Sequence, residues 1–196
     1  ADGSKCYVAS ERDDAVYVRD TDHRTHQTLA AKLSTGAHPV AILLSPDQNH
    51  LYVSNSLSDT VSVVDTRSDK ITDTIMLRPA MVRDVPGVTP LGMALSPDAK
   101  TLYVALADMD AIGVIDLTHD TLAGYIPAGW YPTALAVSRD GKRLLVANAR
   151  GTKPFPCAIG STFSLTAALP HLPALTSNGR NDHPWQSVGI QPPPLS

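Results

Sequence analysis

The sequence repeats one pattern of residues three times, and this repeat constrains the fold more than any other feature. Each copy begins with an x-Pro pair, continues through apolar residues and ends in Ser-x-Asp, at 38–47, 89–98 and 131–140. A second apolar run follows each copy at a constant offset, at 51–55, 102–106 and 144–148. Self-similarity at a spacing of roughly 40 to 50 residues indicates a solenoid, a propeller or an array.

The spacing of the copies locates an insertion. Pro39 and Pro90 are 51 residues apart, whereas Pro90 and Pro132 are 42 apart. The nine extra residues fall within 76–86, between the last strand of one copy and the first strand of the next.

Two further runs of β-branched and apolar residues complete each copy as a set of four strands. The third strands are predicted at 60–65 and 111–116, and the fourth strands at 70–75 and 121–126. A degenerate copy precedes them, with strands predicted at 6–10, 15–20 and 26–33. Short strands of this composition, with turn residues and no helix between them, predict an all-β fold. Four antiparallel strands per copy predict a β-propeller built from four-stranded blades.

The turn between the first two strands of each copy has its own chemistry. Ser-Pro-Asp suits a type I turn, and Gly141 can take the left-handed conformation that closes the hairpin. Gln48 and Ala99 occupy the equivalent position, where a side chain costs about 1–2 kcal/mol. Asp65 and Asp116 end third strands, where a carboxylate can accept backbone N–H groups of the turn.

The predicted strands amount to about three and a half blades, in residues 1–151, whereas closed propellers typically have about 4–8. Three explanations fit: a fragment of a longer propeller, self-association that completes a ring, or a cap formed by the tail. The fragment is the most economical. The tail at 152–196 is rich in Pro, Ser and Thr, which favours a loop-like or capping segment with one strand within 161–169. A shifted reading frame after Gly151 is the alternative.

The strands resemble the YVTN family of β-propeller repeats, which is named for a Tyr-Val-x-Asn strand. Residues 52–55 fit that strand best, and the resemblance covers about residues 5–151. Residues 126–134 and 145–151 also resemble the N-terminal propeller of bacterial proteins that join such a propeller to a phosphoesterase of the alkaline phosphatase superfamily. The metal-binding and nucleophile motifs of that enzyme have no match here, so its activity is not implied. The resemblance implies a periplasmic or extracellular location, although residues 1–5 do not look like a signal peptide.

Composition excludes some partners. The net charge is −3 and the pI about 6.1, so no basic field is available to bind nucleic acid. No apolar run approaches the roughly 20 residues of a membrane-spanning helix. Cys6 and Cys157 are either a single disulfide or two unpaired thiols.

In this fold, the loops between the second and third strands share a face with the loops that join consecutive blades. Ligands of propellers commonly bind there, because loops on a rigid scaffold carry sites. The insertion lies on the same face, as a binding loop or equally as a tolerated surface loop. The candidate ligand or interaction residues are Asn55, Asp59, Arg78, Arg83, Asp84, Asp108, Asp110, Trp130, Tyr131, Asn148 and Arg150.

Alternatives weigh against specific chemistry at these positions. Asp108 and Asp110 suit a solvated turn better than a cation site, and Trp130-Tyr131 suits inter-blade packing better than a ligand contact. His23 and His26 have no third metal ligand nearby. No nucleophile elbow, phosphate loop or dinucleotide fingerprint is present, so we predict no catalytic residue, metal or cofactor.

Two functional hypotheses follow. The first is a non-catalytic scaffold that binds an unknown protein or small-molecule ligand, including service as the accessory propeller of a phosphoesterase-type protein. The second is a lactonase-like hydrolase with a divalent metal in the central channel. The second needs several carboxylate or His ligands from different blades, whereas the inner strands carry Ala, Leu, Ile and Val.

Overall fold

A computed structural model describes residues 3–21, 28–79, 87–151 and 164–168 of the chain. Within these residues, the chain forms antiparallel strands in four separate sheets, which we number blades 1 to 4 in chain order. Consecutive strands are neighbours in every sheet, as expected for propeller blades. The predicted β-propeller fold is therefore confirmed, with the described blades forming part of a ring.

The strands have the following bounds. Blade 1 contains β1 (Lys5–Ser10), β2 (Ala15–Asp20) and β3 (Thr28–Ser34). Blade 2 contains β4 (Pro39–Leu44), β5 (His50–Asn55), β6 (Thr60–Asp65) and β7 (Lys70–Met76). Blade 3 contains β8 (Pro90–Leu95), β9 (Thr101–Leu106), β10 (Ala111–Asp116) and β11 (Thr121–Pro127). Blade 4 contains β12 (Pro132–Val137), β13 (Arg143–Asn148) and β14 (Ser164–Ala168).

Some details add to the sequence-based expectation. The last strand of blade 1 is described over Thr28–Ser34, and its predicted start at residue 26 lies outside the described residues. The strand expected within 161–169 is β14, which pairs antiparallel with β13 and so takes the place of a third strand. Short 3-10 turns, Glu11–Asp13 and Ala107–Met109, stand where the patterns predict plain loops.

Blades 2 and 3 pack both of their faces against neighbouring blades, because successive side chains of a strand point to opposite sides. In β5, Leu51 and Val53 pack with Val16 and Val18 of blade 1. Tyr52, between them in sequence, packs on the other side with Leu102 of blade 3. Blade 3 repeats this arrangement toward blade 4, where Tyr103 and Ile112 meet Leu144 and Val146. The apolar core is thus a series of clusters between blades.

The loops lie on two opposite faces. We call the upper face the one formed by the loops after β1, β5, β9 and β13 and by the segments that connect consecutive blades. Hydrogen bonds join these two sets of loops, as from Leu77 N–H to the Asp59 carbonyl at 2.8 Å. The lower face carries the turn between the first and second strands of a blade and the turn between its third and fourth strands.

The lower-face turns that follow β4, β8 and β12 are built alike. In the first of them, the Gln48 N–H donates to the Ser45 carbonyl, and the Ser45 hydroxyl donates to the Asp47 carboxylate at 2.5 Å. The other two turns repeat both bonds, through Ser96 with Asp98 and through Ser138 with Asp140. The next residue in each turn is left-handed, with φ of 60° at Gln48, 55° at Ala99 and 67° at Gly141. The predicted turn and its left-handed closing residue are confirmed.

Replacing Ala99 by glycine should stabilise the protein. Glycine adopts the left-handed region without the steric cost of a β-carbon, so we expect the free energy of unfolding to rise by about 1 kcal/mol. The matched control is Gly141→Ala, which should lower it by about the same amount. Urea denaturation followed by circular dichroism measures both, and an unchanged midpoint for both variants would contradict the assigned backbone strain.

The acidic turns should also make stability depend on pH. Bonds from the Ser45 hydroxyl and the Asn49 N–H lower the pKa of Asp47 to about 2. Because this pKa lies below the unfolded value of about 3.9, the stabilisation is present above pH 4 or so and is lost as pH falls toward about 2. Asp47→Asn should therefore show a smaller fall in urea midpoint than the wild type over this window. If the urea midpoints of the two proteins fell equally as the pH is lowered, the effect would be refuted.

Candidate functional site

Three aspartates on the upper face join neighbouring blades. We call Asp14, Asp59 and Asp110 the inter-blade aspartates; each lies directly before the third strand or its equivalent and is left-handed, with φ of 48°, 56° and 51°. Their carboxylates accept backbone N–H groups at the start of the next blade. The donors are His38 at 2.7 Å, Val88 and Thr89 at 2.8 and 3.2 Å, and Tyr131 at 2.9 Å.

The residues that receive these bonds have unusual backbone conformations. His38, Thr89 and Tyr131 each precede a proline, yet each has a positive φ, of 58°, 49° and 57°. This region is unfavourable for a residue with a side chain, and most of all for β-branched Thr89. The inter-blade aspartate holds the N–H of each one, and the adjacent loop donates to its carbonyl, as Ala107 N–H does to Thr89 at 3.0 Å. The strain is thus held by bonds on both sides.

Asp59 has the most bonds of the three. Its carboxylate accepts the two backbone N–H groups and also pairs with Arg78, whose Nη2 lies 2.6 Å from Oδ2. The Asp59 side chain is 6% exposed. The carboxylate is therefore part of the junction between blades 2 and 3, with Arg78 as its cation.

Asp108 and Asp110 have different partners although they are close in sequence. Asp108 is exposed and accepts the Thr89 hydroxyl at 2.5 Å, whereas Asp110 accepts the Tyr131 N–H. Among the residues that the structure describes, no group of three His, Cys, Asp or Glu side chains is arranged to hold a metal ion. The solvated-turn interpretation fits Asp108, and Asp110 belongs to the junction between blades.

Asn55 and Asn148 end the second strands of their blades and are both buried. The Asn55 amide nitrogen donates to Thr60 and Ser62 on the neighbouring strand, at 3.1 and 3.0 Å. Asn148 has neither amide atom bonded in the structure. A β-carbon on Gly129 would lie 2.7 Å from its amide nitrogen, so glycine permits this close approach. Both asparagines lie beneath the surface of the upper face.

Trp130, Tyr131 and Arg150 come together at the junction of blades 3 and 4. The Arg150 N–H donates to the Trp130 carbonyl at 3.2 Å. The Arg150 guanidinium lies over the Tyr131 ring, 4.5 Å from its centroid, in a cation–π arrangement. Arg150 is exposed and Tyr131 half-buried, so this pair combines inter-blade packing with an accessible cationic surface.

Several predicted features fall outside the described residues. Arg83 and Asp84 of the insertion do so, as do His23, His26 and Cys157. Cys6 is exposed and is a free thiol. In the ranges that are described, no helix has the length and apolar character needed to cross a membrane.

The role of the inter-blade aspartates was missed by sequence reasoning, and Asp14 was not among the candidates. A signal was present, because an aspartate stands directly before residues 15, 60 and 111, where the three strands begin. Its interpretation needed the partner N–H groups, which lie 21 to 30 residues further along the chain.

Comparison with known proteins places these blades in a defined class. The successive antiparallel sheets with cores between them define a β-propeller, and the model of the lactonase, 7-bladed beta-propeller family matches residues 1–123. The chain belongs to this family. The curated protein Antigen Lp49 of Leptospira interrogans is 30% identical over 115 residues, which cover 52% of this chain and 23% of that protein.

Solved structures agree on the fold. The chain resembles Kuenenia stuttgartiensis hydrazine synthase at 30% identity and a TM-score of 0.65, over 75% of this chain and 39% of that one. Proteins assigned as 6-phosphogluconolactonases from Bacteroides fragilis and Bacteroides uniformis match at 21% and 23% identity, with TM-scores of 0.59 and 0.62. Each match covers 75% of this chain and 45% of the other, so the chain spans less than half of these proteins.

Removing the Asp59 carboxylate should destabilise the junction between blades 2 and 3. Asp59→Ala leaves two backbone N–H groups and Arg78 without their acceptor, so we expect a loss of about 2–4 kcal/mol in the free energy of unfolding. Leu57→Ala, at an exposed position of the same loop, is the control and should change it by less than about 0.5 kcal/mol. Urea denaturation measures both, and equal effects would contradict the structural role of Asp59.

Proposed function

We propose that this chain is part of a non-catalytic propeller scaffold whose upper face binds an anionic group of a protein or small-molecule partner. The observation that carries the proposal is the exposed Arg150 guanidinium, which is held over the Tyr131 ring. Among the described residues it has no carboxylate partner, so its donors are available to a ligand. Guanidinium groups bind carboxylates and phosphates through paired hydrogen bonds.

The acidic groups of the same face support a binding role over a catalytic one. A channel metal or a general base needs a carboxylate that is available to the substrate. The carboxylates of Asp14, Asp59 and Asp110 already accept backbone N–H groups between blades. Asp108, Glu11 and Asp13 are exposed on this face. Asp108 accepts a hydroxyl from Thr89, Glu11 lies 3.4 Å from the His38 imidazole, and Asp13 accepts hydroxyls from neighbouring side chains.

Lactone hydrolysis is the second candidate, and family membership favours it. The family model is that of a lactonase, and two of the similar solved structures are assigned as 6-phosphogluconolactonases. In this hypothesis Arg150 binds the phosphate or carboxylate of the substrate, and Asp108, an exposed carboxylate of the same face, acts on water.

Further proposals concern the kind of propeller, its location and its partners. A YVTN-type assignment is supported by residues 52–55, since Asn55 of that strand bonds two side chains of the next strand. The sequence resemblance is the basis for proposing a periplasmic or cell-surface location and service as an accessory propeller. The blade count is the basis for proposing self-association with a second copy.

One pair of measurements separates the two candidate functions. We expect 6-phosphogluconate to bind with a Kd of about millimolar, as for a single charged anchor, and Arg150→Ala to weaken it about tenfold. Isothermal titration calorimetry measures the affinity of both proteins for 6-phosphogluconate. The control is Arg139→Ala, an exposed arginine on the lower face, which should bind like the wild type.

The second measurement follows hydrolysis of 6-phosphogluconolactone with a pH indicator, with and without Mg²⁺, Mn²⁺, Zn²⁺ or Ca²⁺. The scaffold predicts the uncatalysed rate under every condition. A metal-dependent acceleration that Asp108→Asn removes would establish the lactonase instead. Binding that is unaffected by Arg150→Ala, or no binding at all, would overturn the proposed anionic ligand site.

A further inference from the structure

A cavity of about 550 Å³ opens on the lower face between blades 2 and 3. We call it the lower groove. Side chains from both blades line it, including Asp47, His50 and Tyr52 of blade 2 and Asp98 and Asp120 of blade 3. Its volume is in the range of small-molecule sites, and neither hypothesis drawn from the sequence made use of it.

The equivalent place between blades 1 and 2 contains a bound ammonium group from the protein itself. Lys5 starts β1 as His50 starts β5, and Asp69 ends its turn as Asp120 ends the equivalent turn of blade 3. The Lys5 Nζ lies 2.7 Å from the Asp69 carboxylate and 3.1 Å from the Thr66 carbonyl. The Tyr7 hydroxyl donates to the same carboxylate at 3.0 Å.

The lower groove has counterparts of the two groups that accept the Lys5 ammonium, but among the described residues it has no counterpart of the ammonium itself. Tyr52 takes the repeat position of Tyr7, and Leu117 that of Thr66. Asp69 and Asp120 have the same left-handed backbone, with φ of 50° in each. In the described part of the chain, the Asp120 carboxylate has no hydrogen bond and no ion-pair partner, and His50 stands where Lys5 would supply an ammonium.

The charge around Asp120 is unbalanced. Burial raises the pKa of Asp120, and Asp73 of blade 2 and Asp116 raise it further, while His50 opposes them. Asp47 and Asp98 add negative charge from the two turns that flank the groove, with Lys100 next to Asp98. His119 is paired with Asp116, with its Nδ1 2.7 Å from that carboxylate, so it does not neutralise Asp120.

We infer that the lower groove binds an organic cation that carries a primary ammonium group, with Asp120 as its counter-ion. The ammonium occupies the place that Lys5 fills in the neighbouring groove, between the Asp120 carboxylate, the Tyr52 hydroxyl and the Leu117 carbonyl. The flanking acids Asp47 and Asp98 suit a ligand with a second positive charge. A free aliphatic diamine and a lysine side chain of another protein share this chemistry.

Calorimetric titration with 1,5-diaminopentane and with Nα-acetyl-lysine amide tests the site and separates the two sources. We expect saturable binding of at least one probe at a stoichiometry near one, and a loss of about tenfold or more in affinity for Asp120→Asn. Tighter binding of the diamine indicates a free polyamine, and tighter binding of the lysine amide indicates a protein side chain. Asp69→Asn, in the groove already filled by Lys5, is the matched control and should bind as the wild type does.

Two substitutions, one that adds an ammonium group to a groove and one that removes it, give the sharpest test. His50→Lys supplies the ammonium within the chain, so it should abolish binding of the probe while raising the melting temperature. Lys5→Ala empties the neighbouring groove, so it should add a second binding site for the same probe. Circular dichroism confirms that each variant is folded. The inference is overturned by an absence of saturable binding to the wild type, by equal affinity for Asp120→Asn, or by undiminished binding to folded His50→Lys.

Discussion

Blades 2 and 3 bury both of their faces against neighbouring blades, and the rest of the structure depends on this constraint. Alternation along β5 sends Leu51 and Val53 toward blade 1 and Tyr52 toward blade 3. Each apolar cluster therefore belongs to two blades, and no blade has a core of its own. Apolar burial of this kind is non-directional, so it favours contact between sheets without fixing the angle at which they meet.

Hydrogen bonds between blades are directional, so they can fix the angle that the apolar contacts leave open. Asp14, Asp59 and Asp110 each bind a backbone N–H group at the start of the next blade. These bonds also hold residues such as Thr89 in a backbone region that β-branched residues avoid. These three aspartates are thereby engaged in architecture. The upper face also carries exposed charged groups outside the inter-blade bonds, and among them Arg150 is a cation held over an aromatic ring.

The fold was accessible from the sequence because a repeat reports the same structure several times. Gln48 and Ala99 could be assigned left-handed conformations because Gly141 occupies the equivalent place. The site was less accessible, since Asp59 and Asp108 look alike in sequence, and only their distances to Val88, Thr89 and Arg78 separate a buried junction from an exposed loop. The contact of Arg150 with Tyr131 likewise joins residues that no periodicity connects. The lower groove forms because the turn that ends at Asp120 in blade 3 faces His50, the first residue of β5 in blade 2. The sequence does not show that these two positions face each other.

The first residue of each second strand has a further consequence. Lys5 and His50 lie at this position at the margin of the sheet, away from the clusters of Val16, Leu51 and Leu102. A change there alters what occupies the space between two turns without altering the packing that holds the blades together. Neighbouring grooves of one ring can thus diverge independently, one closed by its own side chain and the next open to solvent. In a propeller of this type, one residue per blade can therefore decide whether a groove is filled by the protein or open to a ligand, while the packing between blades stays the same.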